Sequence, residues 1–225
     1  MKLSTGLKKL DEKLEGGIPL GISVLLQGPP GAGKSTFCNH FIHEGNKNNE
    51  ACIYITFNAT PEEIKNTAKN FGMNFSDDLT IFVDAYSWQT GVKQGKYAVN
   101  PADLTNFTIK ITKAITELQN KNLKRVVFDS FSTMFLFVPK DLCLRFLSMV
   151  TAKLKAFGTT QFIVIEEGMH DPPTLTAMNA LTDGTIKFSS LGELHRMEIV
   201  RMKGVTCLPI GFNFKIVETG INLEV

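Results

Sequence analysis

The segment GPPGAGKST, Gly28 to Thr36, carries the most specific chemistry in the chain. It fits G-x-x-x-x-G-K-[ST], in which glycines let backbone N–H groups curl around phosphate oxygens at the positive end of a following helix. Gly28, Pro29, Pro30, Gly31, Ala32 and Gly33 form the turn. Lys34 is expected to reach the β- and γ-phosphates, Ser35 to offer its hydroxyl oxygen to Mg²⁺, and Thr36 to lie near the α-phosphate. A phosphate-bound metal also needs an acid nearby, and KRVVFDS, Lys124 to Ser130, supplies one. Asp129 ends an apolar strand there, where a carboxylate faces the ligand crevice of a parallel sheet and holds the metal's water shell. The competing reading of Asp129 is a surface or capping acid. ATP and Mg²⁺ are the expected ligands.

The loop chemistry requires a strand before it and a helix after it. Residues 22–26 form a short apolar run suited to a buried parallel strand, and 34–44 follow as a helix. Further strand-like runs lie at 52–57, 79–83, 126–129 and 162–165, separated by helical patterns at 61–70, 101–119 and 141–157. Pro61 suits the first turn of its helix. Leu7, Leu10 and Leu14 recur at helical spacing behind Ser4 and Thr5, which are expected to cap a short helix. From Thr185 the rhythm becomes strands without helices. The fold expected is α/β, a mostly parallel sheet with helices on both faces and an antiparallel C-terminal extension along one edge.

The 225 residues are 43% apolar with a net charge of +2, which suits one domain spanning 1–225 and gives no electrostatic case for nucleic acid or a membrane surface. No apolar run has the length of a membrane span, and none at the N-terminus has that of a signal peptide. Cys38, Cys52, Cys143 and Cys207 lie far apart without a CxxC pair, so buried thiols in a reducing cytoplasm are the favoured reading over a zinc site.

With these features in place, the sequence resembles the RecA superfamily, and more narrowly the KaiC-like ATPases in their single-domain archaeal form. The resemblance rests on STGLKKLDEKLEGGIPLGISVLLQGPPGAGKST, YITFNATPEEIKNTAKNFGMNF, RVVFDS and HRMEIVRMKG, and covers nearly the whole chain. It implies a RecA-like P-loop NTPase core and a homo-oligomeric ring, such as a hexamer, with ATP between subunits. It also implies that the strand ending at Phe57 is followed by two glutamates that polarise the attacking water. Here those positions are Asn58 and Ala59. An amide can orient water but cannot take its proton, and general-base help typically contributes ~10²–10⁴ in rate. Glu62 and Glu63 suit a helix's first turn as caps more than as bases. Glu166, at the end of the strand-like run 162–165, is the better candidate base; it is otherwise a phosphate sensor or a cross-sheet partner.

The late strand carries Arg201-Met202-Lys203 where the family places Lys-x-Arg. Both cations are expected to reach a neighbouring subunit's γ-phosphate, the alternative being a solvated pair flanking buried Met202. The sequence thus points to an Mg·ATP-binding regulatory or assembly module with weak or no hydrolysis, with a protein partner to be found; the alternative is an active ATPase at a subunit interface. His40 and His43 lack further ligands and are read as packing or surface residues. Phe131, Phe135 and Phe137 are read as core or interface residues. Residues 85–101 mix Tyr86, Trp88 and Tyr97 with Lys93 and Lys96; a lid or interface segment is favoured over a base-stacking surface. Residues 168–183, read as a loop, contain no Lys or Arg, which counts against a DNA recombinase.

Overall fold

The computed structural model describes residues 1–90, 95–192, 194–206 and 209–224. A two-residue ladder pairs β1 (Lys2–Leu3) with β2 (Ile18–Pro19) around helix α1 (Lys8–Lys13). The alternating core follows: β3 (Ser23–Gly28), α2 (Lys34–Lys47), β4 (Ala51–Thr56), α3 (Pro61–Asn70), β5 (Thr80–Asp84), α4 (Leu104–Leu118), β6 (Leu123–Asp129), α5 (Lys140–Ala156), β7 (Thr160–Glu166) and α6 (Pro172–Leu181). Four strands close it: β8 (Gly184–Leu191), β9 (Leu194–Met202), β10 (Ile210–Val217) and β11 (Gly220–Leu223).

One sheet has the order β11-β10-β9-β8-β3-β7-β6-β4-β5. β5, β4, β6, β7, β3 and β8 run parallel, and β9, β10 and β11 add antiparallel beyond β8. This is the expected class, with its extension on one edge.

Both sheet faces are covered, so the central strands are apolar without a polar alternation, and successive side chains feed opposite layers. Val24, Leu26, Tyr54, Phe162 and Val164 join one layer with Phe37 and Phe41 of α2. Leu25, Ile53, Ile55, Ile163 and Ile165 join the other with Phe107 of α4 and Phe146 of α5. Phe131 belongs to this second layer, with Phe135 and Phe137 partly buried against it. On the first side, the fully buried Arg125 ties α2 to the sheet: Nε donates to Glu50 Oε2 at 2.6 Å, and Nη1 to the carbonyls of Ser4 (2.7 Å) and Phe41 (2.8 Å).

Two expectations change. Ser4 and Thr5 do not cap α1, whose N-cap is Leu7. Their hydroxyls instead donate to the carboxylate of Asp11, at 2.7 and 2.8 Å, which fastens the segment to the helix side. Residues 172–181 are not loop but helix α6. The Asp171 side chain accepts from Thr174 N at its start, Pro172 follows the cap, and Arg201 donates to the carbonyls of Asn179 and Thr182 at its end.

Candidate functional site

The Gly28–Thr36 loop leaves β3 at the C-terminal edge of the parallel strands. Gly31 and Gly33 have φ of +78° and +90°, the left-handed region where a side chain is strained, and Gly33 opens α2. Gly33 has a second reason to lack a side chain. A Cβ there would stand 3.0 and 3.1 Å from two atoms of the Phe214 ring, which floors the loop from β10. Gly28 is equally constrained, because a Cβ would come within 2.4 Å of the Phe188 carbonyl oxygen on β8.

Lys34 is nearly buried, at 4% exposure, and all three of its ammonium protons are used. Nζ donates to the carbonyls of Gly28 (2.8 Å) and Pro29 (2.7 Å) and to Glu166 Oε2 (2.9 Å). Glu166 arrives because β7 lies beside β3 with Glu166 opposite Gly28. Its own N–H donates to Ser132 Oγ at 2.8 Å, and that oxygen lies 2.7 Å from Nε2 of His170.

On the next strand, β6, Asp129 is buried and accepts from the Tyr54 hydroxyl at 2.7 Å. Burial pushes its carboxyl above the usual carboxylate range; hydrogen bonds from Tyr54 and Ser35 pull it back, nearby Glu166 adds to the push and Lys34 opposes it. A buried acid in this setting favours a cation. Ser35 and Asp129 supply the hard oxygen donors that a divalent ion bound to phosphates prefers. The loop, Lys34, Ser35 and Asp129 therefore fit a metal–nucleotide ligand.

The turn after β4 holds no acid of its own, and of the two that follow in the first turn of α3, Glu62 is exposed and Glu63 is committed. The exposed Asn58 accepts a short hydrogen bond from Thr133 Oγ1, and the Ala59 carbonyl accepts from Thr56 Oγ1 at 2.7 Å. Glu63 is occupied in a capping box, accepting from Thr60 N at 2.7 Å and from its hydroxyl at 2.9 Å, while Thr60 Oγ1 accepts from Glu63 N. Capping thus accounts for Glu63.

Arg201 and Lys203 are not brought to the loop of their own chain. Arg201 stands opposite Thr185, and Thr185 opposite Leu25, three residues before Gly28, so Arg201 is near the other edge of the sheet. Its guanidinium is occupied at the C-terminus of α6, whereas Lys203 is exposed. His40 Nε2 accepts from Ile221 N at 2.9 Å and His43 Nδ1 meets Asn74, which makes both structural. Among the described residues no cluster of His, Cys, Asp and Glu is arranged for a metal ion. Cys38, Cys52 and Cys143 are buried free thiols, and Cys207 lies outside the described residues. In the 85–101 segment, Trp88 packs edge-on against Phe137, and Tyr97 and Lys96 bind Glu117 of α4; Lys93 lies outside the described residues.

Tyr54, Thr133, Ser132 and His170 escaped the sequence reading. Tyr54 opens one of the stretches that carry the resemblance, but no spacing marks its role or theirs, and each meets its partner from a distant part of the chain.

The sheet and loop define a nucleotide-binding protein of the P-loop class on a RecA-like core. A family model described as "ATPase: KaiC" matches residues 3–224, and the chain belongs to that family. It is 28% identical to a UPF0273 protein of Methanopyrus kandleri, over 99% of this chain and 92% of the relative. With a UPF0273 protein of Thermotoga maritima it shares 30% identity over 98% of this chain and 94% of the relative. The circadian clock oscillator protein KaiC of Parasynechococcus marenigrum is 29% identical over 99% of this chain, which spans 44% of that longer protein. Among solved structures, a KaiC-like protein of Pyrococcus horikoshii superposes with a TM-score of 0.81 at 21% identity, covering 100% of this chain and 99% of that one, a likeness of fold. No helix among the described residues is long and apolar enough to cross a membrane.

Proposed function

We propose that this protein is a single 1–225 unit that binds Mg·ATP at Gly28–Thr36 and works through nucleotide occupancy rather than rapid turnover. Occupancy would set its conformation, its assembly into a homo-oligomer, or its hold on a protein partner. Ser35 would contribute a metal ligand and Asp129 would hold the metal's water shell. Lys34 would neutralise phosphate charge. The bound metal would supply charge neutralisation between phosphate oxygens.

The observation that carries the slow-turnover reading is the β4–α3 turn, where Asn58 and Ala59 offer no carboxylate and Glu63 is held in its cap. Water there can be oriented but not deprotonated. If nucleotide sits between subunits as family membership suggests, Lys203 is the freer of the two late-strand cations to reach a neighbour's phosphate. Three buried free thiols suit a reducing, cytoplasmic setting.

The alternative is an active ATPase at a subunit interface, favoured by the family's description and by the presence of one carboxylate, Glu166, beside Lys34. Steady-state phosphate release decides between them. The wild-type protein should release phosphate slowly, and Asn58→Glu combined with Ala59→Glu should raise the rate by at least about tenfold, within the range of a general base. A fast wild-type rate that is abolished by Lys34→Ala would overturn the occupancy reading. Mass measurement with and without Mg·ATP tests assembly, which fails if the chain is monomeric in both.

A further inference from the structure

We propose that Glu166 is a built-in competitor for the phosphate site: its carboxylate holds Lys34 in the nucleotide-free protein, and an incoming phosphate must displace it. The inference rests on the reading that the loop binds ATP, and it adds what sets the affinity.

The competition follows from donor counting. An ammonium group has three N–H donors, and those of Lys34 are spent on the Gly28 carbonyl, the Pro29 carbonyl and Glu166. A phosphate oxygen that engages Lys34 must take one of these positions. The two carbonyls belong to the loop itself, so the carboxylate is the partner that can leave without unwinding the cradle. It is also the partner that most repels an arriving anion. With Asp129 nearby, the protein itself sets two carboxyl groups against one ammonium at this place.

Glu166 is not a mobile surface acid that happens to touch Lys34. Its strand register places it opposite Gly28, its N–H is fixed by Ser132 Oγ, and Ser132 pairs with His170. The edge of the His170 ring meets Phe135 with centroids 4.6 Å apart. The backbone is pinned, so displacement must come from rotation of the Glu166 side chain, which is 18% exposed. A nucleotide therefore exchanges one anion for another at Lys34, and the first anion weakens binding of the second.

The test compares wild type with Glu166→Gln and Glu166→Ala, using Mg·ATP and inorganic tripolyphosphate as probes in calorimetric titration. The glutamine keeps the volume, and the alanine removes all contact. Both variants should bind both probes more tightly, Glu166→Ala by roughly 10-fold or more, the scale of one hydrogen bond to a charged group no longer being displaced, and Glu166→Gln by less, because its amide oxygen still accepts from Lys34. Their nucleotide-free thermal midpoints should fall, because Lys34 loses its counter-charge. A merely structural role would lower the midpoint and weaken binding together. Unchanged or weaker binding in both variants, with wild-type binding intact, overturns this inference alone. Absence of nucleotide binding by the folded wild-type protein overturns the ATP reading and this inference with it.

Discussion

At the residue scale the site is decided by groups that cannot be exchanged. Gly33 combines a left-handed backbone with the Phe214 ring 3.0 Å from the position of an added Cβ. Gly33→Ala should cost about 1–2 kcal/mol from the backbone term alone. It should also weaken nucleotide binding, because the N–H groups of the loop would be re-aimed. Chemical denaturation and a nucleotide titration check both, and a variant unchanged in either would show that the turn tolerates a side chain. These residues were nominated from the sequence because a phosphate cradle needs glycines at fixed spacing, and Asp129 because an acid ending an apolar strand, a common feature by itself, gains meaning when paired with such a loop. The partners of that machinery were not readable. Tyr54 reaches Asp129, and Ser132 reaches Glu166, only once the strands are side by side, and no local spacing encodes that. Glu166 was nominated from its place at a strand end, yet its pairing with Lys34 required knowing that β7 lies next to β3.

At the scale of elements, α2 is held between the loop at one end and the C-terminal hairpin along its side. His40 makes the second connection by accepting from Ile221 N of β11. Burial, aided by neighbouring His43 and opposed by Glu44, lowers its protonation to a pKa of about 4 from the usual value near 6.5. A neutral ring is what the contact needs. The unfolded chain takes up a proton below pH 6.5 while the folded chain does not until about 4, so stability should fall as pH drops through that window and level off beneath it. The loss is on the order of 3 kcal/mol. Urea denaturation at pH 7 and pH 5 should show about 2 kcal/mol of it, the rest following as pH falls to 4, and His40→Gln should remove most of the difference. An identical slope in the variant would assign the pH dependence elsewhere. Helix α6 shows where element prediction failed. Only Thr174 and Met178 are buried on it, so no apolar stripe announces it. Its signals were at its ends, in Asp171 before Pro172, and in an arginine from a strand twenty residues on.

At the scale of the molecule, ligand binding and folding should be linked. Anything that binds only the folded state adds RT ln(1 + [L]/Kd) to its stability, about 2.7 kcal/mol at a hundredfold excess over Kd. For a chain of 225 residues that corresponds to a rise of about 5–10 °C in Tm. Mg·ATP should produce this rise, EDTA should remove the metal-dependent part, and Lys34→Ala should abolish it. Thermal melts under the four conditions check the linkage, and an unchanged wild-type Tm at saturating Mg·ATP would contradict it.

The sheet order carries a consequence for how the protein is made. β3, which leads into the phosphate loop, lies between β7 and β8, so Ser23 pairs with Gln161 and Val24 with Gly184. The floor under Gly33 is provided still later, by Phe214. Within this stretch of chain the loop is synthesised before both strands that flank β3 and before the ring beneath Gly33. A nascent chain would carry the whole motif before it had the means of shaping it. ATP capture would then mark the end of folding, and nucleotide would be a ligand that only a finished molecule can hold.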